Sequence, residues 1–426
     1  MFRRSMIIAL AVLFLLVGCT HSPSSSAPPS PTGVMPQISE TQQPTSTPTA
    51  VPTTVVTPTP TPTPQPPVRV SIAAVGDLMC HKYMVYDAYD RASDTYDFKS
   101  MLEDVAPLLS AADITIGNLE TPVAGASFGY TGSSGTLNFN APDSYLDMLE
   151  MAGFDVLSYS NNHILDKGWQ GLLSTLDTLQ ARGFTYTGAF RNQQENETPC
   201  IVEHEGIKFA FVTATYGSNV GRGRIPDEFK AWAYNDLNEK KILADTDRAR
   251  AAGADVVIAL LHWGAERVLK PNRTQKDLAP ALIAGGVDVI IGHHPHVLQG
   301  IERIESGGRQ GVVFYSLGNF VSNMYPPQAD TGAIAYLIFE KDPQSDKVSL
   351  VDLAYLPTIV WKKTYQGEGN WDFRVLPMQR YMEDEQLFDT LDSGMKKRLP
   401  ASWKETIEHL GEDTARLTKD ALSAQP

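Results

Sequence analysis

Val287-Asp288-Val289-Ile290-Ile291-Gly292-His293-His294-Pro295-His296 joins a β-branched apolar run to three histidines within four positions. The run reads as a fully buried strand, and Gly292 lets the backbone turn tightly where the strand stops. Imidazole is the commonest protein metal ligand, and a His-x-His pair on a rigid loop aims two rings at one point. Three histidines on one loop can also be plain polar surface. The chain holds only nine, however, and His262 follows a second buried-looking strand, Asp255–Leu261. That recurrence favours a site.

The same grammar runs upstream. Val68–Val75 reads as a strand closed by Gly76-Asp77, Asp113–Gly117 as one ending in Asn118-Leu119-Glu120, and Asp155–Tyr159 as one ending in Ser160-Asn161-Asn162-His163. Helical stretches fall between them: Phe98–Ala112, Pro142–Gly153, Leu172–Arg182, Asn238–Ala252 and Lys276–Ala284, several ending at or before a glycine that suits a C-cap. Further strands are expected at Ile207–Thr213, Gly311–Tyr315, Ala333–Glu340 and Val348–Leu356, with Gly125–Asn140 as a long loop. Strands alternating with helices indicate α/β layers, and the closing run of strands makes the sheet mixed. Beyond Trp361 the pattern weakens to two charged helices, Met382–Leu399 and Trp403–Ala424, read as an appendage.

Five strand ends therefore carry ligand-type residues: Asp77, Asn118 with Glu120, Asn162 with His163, His262, and His293, His294 and His296. In α/β folds the carboxyl ends of parallel strands lie along one edge, where sites form. Carboxylate, amide oxygen and imidazole together suit Mn, Fe or Zn. Two such ions held about 3.5–4 Å apart activate water and clamp a phosphoryl oxygen. Singly, each residue has an ordinary explanation: Asp77 as a turn residue or N-cap, Asn162 in a left-handed turn, His262 as a satisfied core histidine, Glu120 as a helix-terminus charge. Five such ends together are hard to obtain by chance.

Gly76-Asp77-Leu78-Met79, Asn118-Leu119-Glu120-Thr121-Pro122, Asn161-Asn162-His163-Ile164-Leu165-Asp166, His262-Trp263-Gly264 and Gly292-His293-His294-Pro295-His296-Val297 resemble the motifs of the CapA family, the PgsA-like proteins of capsule and poly-γ-glutamate synthesis. Ser316-Leu317-Gly318-Asn319-Phe320 extends the resemblance, which covers roughly Val68 to Phe339 in matching order. That family is in turn similar to calcineurin-type metallophosphoesterases. The resemblance implies an α/β/β/α sandwich with mixed sheets over residues 68–360, carrying a metal-dependent hydrolase site, followed by the helical appendage 361–426. It implies one or two divalent ions, with Asp77, Glu120, Asn162, His262, His294 and His296 as ligands and His163, oriented by Asp166, as general acid or transition-state donor. The chain departs from the metallophosphoesterase pattern at Met79, where histidine is called for; His81 lies two residues on. Asn118 and Glu120 replace an aspartate pair, and an extra residue after Gly292 makes His293 an alternative ligand. Arg222 and Arg224, in a glycine-rich stretch, are candidates for binding an anionic substrate through forked hydrogen bonds, or are simply solvated loop.

The N-terminus reads as an address. Arg3 and Arg4 precede the apolar run Met6–Val17, too short for an ordinary spanning helix, and Leu16-Val17-Gly18-Cys19 resembles a bacterial lipobox, in which Cys19 would be lipidated after cleavage. Residues 1–19 are thus expected to be a lipoprotein signal peptide, and 20–67 a Pro/Thr-rich linker that, fully extended, would reach on the order of 150 Å. These readings put the folded part on the extracytoplasmic face of the cell membrane, lipid-anchored. The expected partners are an anionic polymer or phosphoester substrate and membrane subunits of capsule synthesis. The net charge of −14 argues against nucleic acid as a partner. The alternative to an enzyme is a polymer-handling or assembly subunit with a degenerate site. Cys80 and Cys200 remain in the folded part, either paired or free.

Overall fold

The computed structural model describes residues 66–131, 138–364 and 371–410. The signal peptide, Cys19 and nearly all of the linker lie outside the described residues, as does the chain from 411 onward. In chain order, β1 (Val68–Leu78) leads through α1 (Lys82–Ala88) and a small hairpin, β2 (Tyr89–Asp90) and β3 (Thr95–Tyr96), to α2 (Ala106–Leu109) and β4 (Ile114–Leu119). Next come α3 (Tyr145–Met151), β5 (Val156–Ser158), α4 (Gly168–Ala181), β6 (Thr185–Thr187), α5 (Gln193–Glu197), β7 (Cys200–His204) and β8 (Ile207–Thr215). The middle of the chain is α6 (Glu239–Ala251), β9 (Val256–His262), α7 (Arg273–Ala284) and β10 (Val289–His293). A run of strands follows: β11 (Leu298–Ser306), β12 (Arg309–Leu317), β13 (Asn319–Val321), β14 (Thr331–Lys341), β15 (Val348–Thr364) and β16 (Trp371–Pro377). Three helices, α8 (Met378–Glu383), α9 (Glu385–Thr390) and α10 (Ser393–Leu410), close it.

These strands form two large sheets. One runs β16-β15-β14-β1-β4-β5-β6, with β13 paired to the end of β1; the other runs β11-β12-β10-β9-β8-β7. Both are mixed, as expected. In the first, β1, β4, β5 and β6 are parallel while β14, β15 and β16 are antiparallel. In the second, β8, β9, β10 and β12 are parallel, flanked by antiparallel β7 and β11.

Alternation along each strand explains how the layers stack. On β1, Val70, Ile72 and Ala74 face a core shared with Phe209 and Phe211 of β8, Ile258 of β9 and Ile291 of β10. Ala73 and Val75 face the other way, against Met84 of α1, Leu149 of α3 and Leu176 of α4. On β9 the intervening residues Val257, Ala259 and Leu261 pack against Ile242 of α6 and Leu282 of α7. Both faces of each sheet are thus covered, giving the helix, sheet, sheet, helix order that the family resemblance implies. Each fully buried aliphatic side chain in the middle layer contributes about 1.5–3 kcal/mol. Truncating Ile258 to alanine there should cost about 2–5 kcal/mol.

Several boundaries differ from the sequence reading. The expected helix Phe98–Ala112 is a 3-10 turn at Lys99–Leu102 and the single turn α2, because Pro107 has no N–H to continue an earlier helix. Helix α7 starts three residues early, where Asn272 and Gln275 form a reciprocal capping box. The division at residue 361 falls inside β15, and β16 extends the same sheet, so an appendage beginning there is not observed. The described residues all lie in one compact unit. Past β16 the two charged helices become α8, α9 and α10, which pack on Ile359, Trp361 and Leu376. Arg398 holds Asp330 at 2.9 Å, and Trp361 Nε1 donates to Asp392 at 2.8 Å, so α10 is tied to the sheet. Cys80 and Cys200 are both free thiols.

Candidate metal centre

Close backbone approach builds the rim. A Cβ on Gly76 would lie 2.0 Å from the Gly318 carbonyl, so only glycine lets β13 reach β1. The Asp77 N–H donates to that carbonyl, and Asp77 pairs in register with Asn319. A Cβ on Gly292 would lie 2.1 Å from the Tyr315 carbonyl, and β10 then sets His293 beside His262 of β9. After His293 the chain turns, with His294 (φ 94°) and His296 (φ 57°) both in the left-handed region. Two non-glycine residues held there store strain of a kind that collects at functional sites.

The side chains converge as three overlapping triads: Glu120 with His262 and His294; Asp77 with Glu120 and His296; and Glu266 with His294 and His296. Within each, the ligand atoms lie within 4.8 Å of one another. Asn162 joins the first, its Oδ1 standing 2.8 Å from His262 Nε2, which is itself 3.5 Å from Glu120 Oε1. His296 Nδ1 lies 3.1 Å from Asp77 Oδ2, and its Nε2 3.8 Å from Glu120 Oε1. The six expected ligands thus come together, with Glu120 common to two triads.

Other expected residues take supporting positions. Asn118 donates to Asp77 Oδ1 at 2.8 Å and so orients that carboxylate. The carbonyl of Val75 accepts from His293 Nε2 at 3.2 Å, which places His293 outside the triads. His81 accepts the Asn323 N–H at 3.2 Å and is likewise absent from them. His163 Nδ1 meets Asp166 Oδ2 at 2.7 Å, and the Phe139 N–H donates to that same oxygen, also at 2.7 Å. The Phe139 ring packs 4.4 Å from the imidazole. Arg222 is engaged elsewhere, donating to the Lys230 and Tyr234 carbonyls, pairing with Asp236 and stacking over Tyr234. Arg224 is exposed, outside the triads.

Three contributors escaped the sequence reading. Asn319 accepts from His296 Nδ1 at 3.0 Å and donates to the His296 carbonyl at 3.3 Å, fixing ring and backbone together. Tyr216, half-exposed, lays its ring 4.4 Å from His294 and nearly parallel to His262. Glu266 follows His262 by four residues. Asn319 was visible within the Ser316–Phe320 motif; Tyr216 and Glu266 follow strand ends but carry no motif of their own.

The donor set fits a cation. Both Glu120 oxygens are buried without a hydrogen-bond partner, and so is His294 Nδ1. Burial, then the neighbouring charge of Asp77, pushes the Glu120 carboxyl well above the usual carboxylate range. Burial also acts to raise Asp77, but the hydrogen bond and charge of His296 bring it below its ordinary value. Burial depresses His262 well below the ordinary imidazole value and His294 to about 4, so both rings are neutral at pH 7, as ligands must be. A carboxylate this costly to ionise alone is what a divalent ion compensates.

The sequence model described as Bacterial capsule synthesis protein PGA_cap matches residues 71–324, more than half of the chain. The chain belongs to this family. The Capsule biosynthesis protein CapA of Bacillus anthracis is 30% identical over 254 residues, 59% of this chain and 60% of that protein, so under two thirds of its length is matched. The PGA biosynthesis protein CapA of Bacillus subtilis is 28% identical over 289 residues, covering 67% of this chain and 72% of the relative. Among solved structures, a calcineurin-like phosphoesterase of Bacillus subtilis superposes with a TM-score of 0.39 at 16% identity, covering 68% of this chain and 91% of that one. That superposition is too loose to argue from, and the layered architecture stands on the strand pairing itself.

Proposed function

We propose that this capsule synthesis family member is a metal-dependent phosphoesterase-like hydrolase acting on an anionic polymer or a phosphoester outside the cytoplasm. The observation that carries the reading is Glu120, a buried carboxylate with no hydrogen-bond partner at the junction of two ligand triads. Asp77, Glu120 and His296 would hold one ion; Glu120, Asn162, His262 and His294 a second. Such ions supply Lewis acidity and lower the pKa of water.

The chain's own residues do the rest. Asp166 binds His163 Nδ1, which fixes the ring and leaves Nε2 as the one nitrogen free to pass a proton to the leaving oxygen. The Phe139 N–H and ring hold that pair in place, and His163 is only 2% exposed, so bulk water has little access to it. Neutral His262 and His294 need shed no proton before binding metal, whereas Glu120 must.

The second reading, a polymer-handling subunit, is favoured by one departure: Met79 stands where a histidine ligand is called for. Elemental analysis and hydrolysis of bis(p-nitrophenyl) phosphate separate the two. The enzyme reading expects stoichiometric Mn, Fe or Zn and a turnover that His163→Ala removes while metal remains. Polymer binding with neither metal nor turnover supports the subunit; turnover indifferent to His163 would remove His163 from the chemistry. The membrane assignment rests on Leu16–Cys19 and the Pro/Thr-rich segment, and Cys19→Ala should release the protein from the membrane fraction.

A further inference from the structure

The triads described above close into a ring: Glu120, His294, Glu266, His296 and back to Glu120. Glu120 is fully buried at the base, whereas Glu266 is exposed, so the two carboxylates sit on the closed and open sides of the same imidazole pair. Resting on the metal-dependent reading, we infer that Glu266 is a metal ligand on the open side of the centre.

Several observations bring Glu266 there. Its carboxylate lies within 4.8 Å of ligand atoms on both His294 and His296. The next residue, Arg267, donates its N–H to the Pro295 carbonyl at 2.8 Å, pinning the loop after β9 to the turn that carries both histidines. Arg267 takes φ 58°, so this short connection is held in an unfavourable conformation rather than left loose. Independently, His294 Nδ1 is buried without a partner, in a side chain only 4% exposed. A buried ring nitrogen with nothing to bond is expensive unless something occupies the space it faces.

The alternative source of a missing ligand is His81, but its Nδ1 is committed to the Asn323 N–H. Met79 offers only a thioether, a poor partner for Mn, Fe or Zn beside carboxylates. Of the acidic and imidazole groups around the centre, Glu266 is the one in the ligand clusters that is also solvent-exposed. An exposed ligand can be exchanged, so Glu266 is also the group that an incoming anionic oxygen would displace.

The test uses the full chain loaded with Co(II), whose visible absorption reports coordination, alongside chelator competition. Glu266→Gln keeps size and removes the charge; at an exposed position it should leave the melting temperature of the metal-free protein unchanged. The wild type should bind two ions. The variant should hold the weaker one on the order of tenfold less tightly, or not at all, with a changed absorption band. Equal affinity, or weaker binding with an unchanged band, would overturn the assignment, since the carboxylate would then act through charge alone. A wild type that binds no ion would overturn the metal-dependent reading itself, a result distinguishable from the first.

Discussion

The first sheet ends in oxygen: Asp77 on β1, Glu120 after β4 and Asn162 after β5. The second ends in nitrogen: His262 on β9, with His294 and His296 after β10. Only the junction brings the buried carboxylates of the first within reach of the imidazoles of the second. The first alone would leave Glu120 buried beside Asp77, and burial, then that neighbouring charge, already drives its proton affinity up; the second alone would offer a cation only one carboxylate, the exposed Glu266. The centre exists only where the two sheets meet, so the core that clamps them, Ile72 and Ile291 included, also sets the distances between ligands.

The comparison breaks most completely at Glu120. Glu120→Gln copies the protonated acid, so the metal-free protein should melt no lower than wild type, while elemental analysis should find the shared ligand's loss abolishing stoichiometric metal. Next in size, His163→Ala should lower kcat by about 10²–10⁴-fold with metal content unchanged, because His163 lies outside the triads. Asn319→Ala, which frees His296 from its orienting bond, should weaken metal binding about 10–100-fold by chelator competition.

A smaller, sign-specific effect separates the sheets by pH. The second sheet's His294 has its pKa depressed from 6.5 to about 4 in the folded protein. The unfolded chain therefore binds more protons between those values. The contribution of His294 to the metal-free protein's stability should be complete above pH 6.5 and be lost progressively as pH falls towards 4, measured by thermal melts against the His294→Gln variant. His294→Gln should remove only its own share, because burial depresses His262, His293 and His81 in the same direction.

Much of this contrast was legible in the sequence, because each ligand follows an apolar run whose end can be read directly. Gly153 and Gly183, expected to close helices, do so with φ of 81° and 80°. The edge strands were harder. β11 carries Glu302, Arg303 and Glu305 straight after the histidine loop and reads as polar surface until its pairing with β12 is seen. The three residues of β13 have no periodicity of their own and exist by pairing with β1. Beyond Trp361 the pattern weakens, yet Lys362 and Lys363 lie in β15 and pair in register with Phe373 and Asp372 of β16. Asn118 and His293 are the right residue types in the right place, and the geometry adds that Asn118 donates to Asp77 and that His293 meets the Val75 carbonyl.

The most direct test is anomalous diffraction from crystals of the metal-loaded protein at the Mn, Fe or Zn edge. A peak bonded at once to Glu120 of the first sheet and to His262 or His294 of the second is the predicted result. A peak held by one sheet's residues alone, or none at this rim, would contradict a centre built by the two together.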